Sequence, residues 1–123
     1  ITSEVKKYLE KKHVSSYVEQ CRDYVGKHYR EKIYLEDIAD TLGVSSTYLS
    51  RLFRKETGEC LQDYITEFRV ERAANLLVYS SESLPRIAEY VNFPSQSYFG
   101  KVFKKYKQMT PRKYRELHKP REF

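Results

Sequence analysis

Two short stretches carry the side chains best suited to chemistry. Thr47-Tyr48-Leu49-Ser50-Arg51-Leu52-Phe53-Arg54-Lys55 returns fifty positions later as Ser97-Tyr98-Phe99-Gly100-Lys101-Val102-Phe103-Lys104-Lys105. At 3.6 residues per turn, each stretch makes a short helix with two faces. Tyr48, Leu49, Leu52 and Phe53 gather on one side, and Thr47, Ser50, Arg51 and Arg54 on the other. Hydroxyls and cations in this pattern suit hydrogen bonding to a polyanion rather than bond making. The expectation is that each copy is a reading helix for DNA and that the rest of the chain holds the two in register.

Nothing elsewhere offers a competing chemistry. His13, His28 and His118 stand alone, and no Cys/His spacing suggests a metal. Paired carboxylates in a pocket, a Cys/His nucleophile pair and a phosphate loop are all missing from the pattern, which argues against an enzyme and calls for no cofactor. Cys21 shares a helical stripe with Tyr17, Val18, Tyr24 and Val25 and reads as core. Cys60 falls where a helix should begin and reads as an inert thiol. Two cysteines in 123 residues suggest a reducing, cytoplasmic home.

The formal net charge of +6 is unevenly spread. Residues 1 to 45 balance eight Lys/Arg against eight Asp/Glu, so the excess lies entirely beyond them. Lys101, Lys104, Lys105, Lys107, Arg112, Lys113 and Arg115 follow one another without an acidic residue between them. A nucleic acid fits such a cluster, and so does a plain solvated face. A composition 40% hydrophobic, with no apolar run approaching about 18 residues, gives no membrane span. The chain opens on Ile1 rather than methionine, so it is expected to be a processed product or a fragment of something longer.

The elements that must position the two stretches follow from caps and periodicity. Residues 3 to 12 predict a charged connector helix, with a sparse stripe of Val5, Tyr8 and Leu9. Ser15 or Ser16 caps a helix from Tyr17 to His28. Leu35, Ile38, Ala39 and Leu42 mark a short helix with Glu36 and Asp37 in its first turn, stopped by Gly43. Val44 plugs the corner, Ser45 or Ser46 caps the first reading helix, and Gly58 ends it. Helix, glycine turn and capped second helix make the helix-turn-helix pattern, which an ordinary helical hairpin shares. Cys60 to about Val78 predicts a longer helix with apolar groups on more than one side.

The pattern then repeats. Leu84, Ile87, Ala88 and Val91 restate Leu35, Ile38, Ala39 and Leu42, and Phe93 restates Val44. Pro85 suits the first turn of its helix, and Asn92 takes the place of Gly43. Beyond the second reading helix, Pro111 and Tyr114 correspond to Leu61 and Tyr64.

Ile38-Ala39 with Gly43, Tyr48 to Gly58, Tyr64 with Arg69, Ile87-Ala88, Phe93, Ser97-Tyr98-Phe99, Phe103-Lys104-Lys105, Thr110-Pro111 and Tyr114-Arg115 together resemble the AraC/XylS family of bacterial transcription regulators. The resemblance covers about residues 17 to 117. It implies an all-α fold of seven helices in two helix-turn-helix subdomains joined by one long helix. On that reading residues 1–15 are a connector, 16–59 the first subdomain, 60–79 the linker and 80–123 the second.

Carried over by position, the base-reading candidates are Ser46, Thr47, Ser50 and Arg51 in the first copy and Gln96, Ser97, Gly100 and Lys101 in the second. Arg54, Lys55, Lys104 and Lys105 suit phosphates. The implied partner is double-stranded DNA, entered at two successive major grooves. RNA polymerase, oligomerisation and signal sensing would belong to the longer protein. A helical module docking an acidic protein through its basic face is the alternative. Three positions depart from the family pattern: Asn92 and Gln108 replace turn glycines, and Gly100 leaves a reading position without a side chain. The second reading helix is therefore expected to run on or to close differently, and the first copy to dominate discrimination.

Overall fold

The structure, a computed structural model, describes residues 15–120; the connector expected over residues 3 to 12 lies outside them. Among the described residues are seven helices: α1 (Ser16–His28), α2 (Leu35–Leu42), α3 (Ser46–Thr57), α4 (Leu61–Tyr79), α5 (Leu84–Tyr90), α6 (Gln96–Lys107) and α7 (Pro111–His118). No helix among them is long and apolar enough to cross a membrane.

Side-chain caps start six of the seven. Ser15, Ser45, Ser83, Ser95 and Thr110 each accept the backbone N–H three residues on, and Cys60 does so through its sulfur, 3.4 Å from Asp63 N. Each such bond satisfies one of the N–H groups that a helix start leaves unpaired. Tyr34, before α2, caps without a side-chain bond, and Glu36 and Asp37 in the first turn face the helix dipole instead. The long helix thus begins one residue later than expected, with Cys60 as its cap, and runs on to Tyr79.

Two hydrophobic cores share α4. The first gathers Val18, Cys21 and Val25 from α1, Ile38 and Ala39 from α2, Leu49 and Phe53 from α3, and Leu61 and Ile65 from α4. The second gathers Val70, Ala73, Ala74 and Leu77 from α4, Ile87, Ala88 and Val91 around α5, and Phe99 and Phe103 from α6. The apolar residues on several sides of α4 are explained: its two halves face different cores. The repeat also extends further back than the reading helices, since Val18, Cys21 and Val25 recur as Val70, Ala73 and Leu77. Hence α4 is the last helix of the first unit and the first helix of the second. Cys21 is fully buried and its thiol is pushed up to about 11 by that burial, which keeps it protonated and unreactive.

Two arginines of the expected motif set, Arg69 and Arg115, work as internal clamps. Arg69 Nε donates to the Tyr29 carbonyl at 3.0 Å, and its Nη2 to Glu31 at 2.8 Å. Arg115 does the same one unit later, donating to the carbonyls of Leu77 at 2.9 Å, Ser80 at 3.3 Å and Glu82 at 2.7 Å. Each guanidinium closes the turn that leads into the helix before a reading helix.

Candidate nucleic-acid interface

Each reading helix is seated by two fully buried anchors, Leu49 and Phe53 in α3, Phe99 and Phe103 in α6. The aromatic anchor meets a tyrosine of the following helix edge-on: Phe53 and Tyr64 at 5.5 Å, Phe103 and Tyr114 at 5.3 Å between ring centres. With that side pinned, the opposite side must point outward.

The turns before the helices are built alike. Gly43 adopts φ 73° and Asn92 φ 61°. In the first turn Gly43 N–H donates to Asp40 O and Val44 N–H to Ala39 O; in the second Asn92 donates to Glu89 O and Phe93 to Ala88 O. The residue gained by the second turn is Pro94, between the plug Phe93 and the cap Ser95. The far ends also match. Gln108 takes the left-handed conformation, φ 63°, and its N–H donates to Lys104 O at 2.7 Å, as Gly58 (φ 83°) donates to Arg54 O at 2.9 Å. The expectation that α6 would run on or close differently is therefore corrected: a helix end sets the backbone angle, and glutamine adopts it at a cost of order 1 kcal/mol.

On α3, Thr47, Arg51, Arg54 and Lys55 are exposed, whereas Ser46 and Ser50 are half-buried on the shoulder toward the core. On α6, Gln96, Ser97, Lys101, Lys104 and Lys105 are exposed and Gly100 is half-buried. Among the described residues, Arg51, Arg54, Lys55, Lys101, Lys104 and Lys105 form no ion pair. The one acidic side chain of α3, Glu56, is turned away and accepts from the N–H and hydroxyl of Ser15 at 2.7 and 2.6 Å. Both outward faces thus present unneutralised cations beside hydroxyls.

Two expectations change here. Tyr48 does not join the buried side; it is 49% exposed, and Tyr98 is 51% exposed at the same register. Each ring leans on an aromatic neighbour, Tyr48 on Tyr17 at 6.3 Å and Tyr98 on Phe93 at 6.1 Å, and flanks the cationic face. The second change concerns the basic run from Lys101 to Arg115. Lys107 pairs with Glu71 of α4 and Arg115 is spent on carbonyls, so two of its cations serve the fold. Neither assignment had a sequence signal, because the partners lie more than thirty residues away.

Gly100 has no internal reason to be glycine: a Cβ there would meet nothing within 4 Å. Its bare backbone lies on a groove lined in part by Leu84, Phe99, Lys104, Thr110 and Pro111, between α6 and the start of α7. The surroundings of the two units differ in sign as well. Glu59 and Asp63 flank the start of α4, where Met109 and Lys113 flank the start of α7. Partial burial and the neighbouring Glu67 and Asp63 raise the Glu59 carboxyl above its ordinary range.

Comparison with known proteins matches residues 38–117 to the helix-turn-helix domain family. The xylose operon regulatory protein of Escherichia coli (strain K12) is 32% identical over 99 residues, which span 80% of this chain and 25% of that protein. The chain therefore spans about a quarter of that regulator's length. Among solved structures, the C-terminal domain of AraT, a response regulator from Geobacillus stearothermophilus, superposes with a TM-score of 0.84 at 35% identity, covering 90% of this chain and 93% of that one. A transcriptional regulator of Chromobacterium violaceum, described as an AraC-type DNA-binding domain-containing protein, gives 0.80 at 28% identity over 83% of this chain and 91% of its own.

Proposed function

Since the chain belongs to the AraC-type helix-turn-helix family of transcription regulators, we propose that it binds double-stranded DNA by sequence, with α3 and α6 in successive major grooves. The observation that carries this is the pair of outward faces: two equivalent helices, each seated by buried anchors, each offering hydroxyls and cations that form no ion pair among the described residues.

Within that reading the roles divide by position. Thr47 and Arg51 project from the centre of the α3 face and are the base readers, the arginine suited to the two acceptors of guanine. Ser46 and Ser50, lying on the shoulder, reach bases or the sugar edge less directly. On α6, Gln96 and Lys101 can read, Ser97 can go to a base or phosphate, and Gly100 contributes backbone only. Arg54, Lys55, Lys104 and Lys105 neutralise phosphates, and the phenols of Tyr48 and Tyr98 are placed to donate to the same strands. No chemical step on the DNA is assigned to the chain. Residues 16–59 and 80–123 act as the two binding units and 60–79 as their shared link. Contacts with RNA polymerase, oligomerisation and signal sensing belong, in this proposal, to the longer protein in a bacterial cytoplasm.

Selection of bound duplexes from random sequence, followed by titration against salt, tests the reading. The expected outcome is a two-part consensus and a log–log salt slope of several units, about 0.9 for each phosphate neutralised. A flat salt dependence with no enriched sequence would remove it and leave docking to an acidic protein.

A further inference from the structure

The two units also meet away from α4. Tyr29 follows α1 in the first unit, yet its ring packs against the second core. Its centre lies 5.4 Å from the Phe68 ring of α4 and 6.4 Å from the Tyr90 ring of α5. Arg30 lays its guanidinium over Tyr90, 3.8 Å from the ring centre. The Arg69 clamp on the carbonyls of Tyr29 and Glu31 fixes the backbone of the same segment. The segment is thus held to α4 on one side and to α5 on the other.

Rings continue this contact back to the first reading helix. Phe68 lies 6.2 Å from Tyr64, which lies 5.5 Å from Phe53 of α3. Forward of Tyr90, α5 and α6 are locked by the second core. A continuous line of packed side chains therefore joins α3 to the element that seats α6.

We propose that the contact of Tyr29 and Arg30 with Tyr90 is a brace fixing the spacing and phase of α3 against α6. Through it the chain would choose among DNA sites by the number of base pairs between their two parts. The proposal rests on the DNA-binding reading above. A shared helix joins the units along one line, and rotation of either unit about that line swings its reading helix. A contact off the line opposes that rotation. One added base pair moves the second part of a site by about 3.4 Å along the duplex and about a tenth of a turn around it. A braced chain cannot follow such a shift, whereas an unbraced one can. Arg30 is exposed and Tyr90 is 40% exposed, so truncating them hollows neither core.

The test uses the site selected by the wild-type chain, the same site with one base pair inserted or removed between its parts, and a duplex carrying the first part alone. Wild type, Arg30→Ala and the double variant Arg30→Ala/Tyr90→Ala are titrated on each. Wild type is expected to lose about tenfold or more on the shifted sites, and the double variant's penalty to shrink by about fivefold or more, the size of an ordinary coupling between sites. Arg30→Ala should fall between them, Tyr90→Phe should match wild type, and the first part alone should bind all four proteins equally. A double variant that keeps the wild-type spacing penalty overturns the brace. So does one that weakens the first part alone as much as the whole site, which would mark a merely stabilising contact. Failure of the wild type to select any duplex would instead overturn the DNA reading beneath it.

Discussion

The two helix-turn-helix units agree where they are buried and differ where they are exposed. Ile38, Ala39 and Phe53 are matched by Ile87, Ala88 and Phe103, and even the left-handed stops are kept with Asn92 and Gln108 in place of glycine. Outside, the first unit sets Thr47 and Arg51 beside an acidic flank of Glu59 and Asp63. The second sets Gly100 and Lys101 beside Lys104, Lys105, Arg112 and Lys113. A core constrains volume and a cap constrains backbone angle, so both persist through duplication. An exposed face is constrained only by what it touches. The difference therefore points to a division of labour, with α3 choosing the sequence and α6 mainly holding the backbone.

The largest effects should test the likeness rather than the difference. Phe53→Ala and Phe103→Ala each remove a fully buried ring and should cost about 3–5 kcal/mol. Because α4 belongs to both cores, either substitution should shift one cooperative unfolding transition, followed by urea melts at two wavelengths. Two separated transitions would show units that fold independently, and the comparison would become one of two domains.

The next effects address the difference itself. Arg51→Ala should lose about 1–3 kcal/mol on the selected site, with much less loss on random duplex, and relax one base position. Lys101→Ala, its counterpart on α6, should lose less discrimination in the same titrations. Equal relaxation by the two would break the asymmetry. Lys104→Ala should weaken all duplexes alike and lower the salt slope by about 0.9. A sequence-dependent loss there would make α6 a reader after all.

How far such predictions could be drawn from sequence varies with the range of the interaction. The helix starts at Ser15 and Ser45 were legible because each cap bonds only three residues on. Leu49 and Phe53 were legible as anchors because one helical face must be covered. Tyr48 was not, since whether a shoulder position is covered depends on how α1 and α3 cross. Ser50, expected on the outer face with Thr47 and Arg51, is half-buried for the same reason: it lies on the other shoulder, which the core partly covers. The services of Arg69, Arg115 and Lys107 were hidden too, because their partners sit in turns and helices distant in sequence. A charge run shows how many cations exist, not how many are free.

The smallest expected effect falls on the residue where the two faces diverge most. A glycine inside a helix costs about 1 kcal/mol relative to alanine, and nothing within 4 Å of a Cβ at Gly100 requires that cost to be borne. Gly100→Ala should therefore stabilise the chain by up to about 1 kcal/mol, read as a raised urea midpoint. If α6 only holds the backbone, a methyl group on the shoulder of its face should leave affinity within about twofold of wild type on every duplex, since it removes no charge. A stabilised variant that binds the selected site far more weakly would mean that the groove approaches the bare helix backbone at this point. Alanine at 100 thus separates two meanings of the same missing side chain: a reader that has been lost, or an approach that has been kept open.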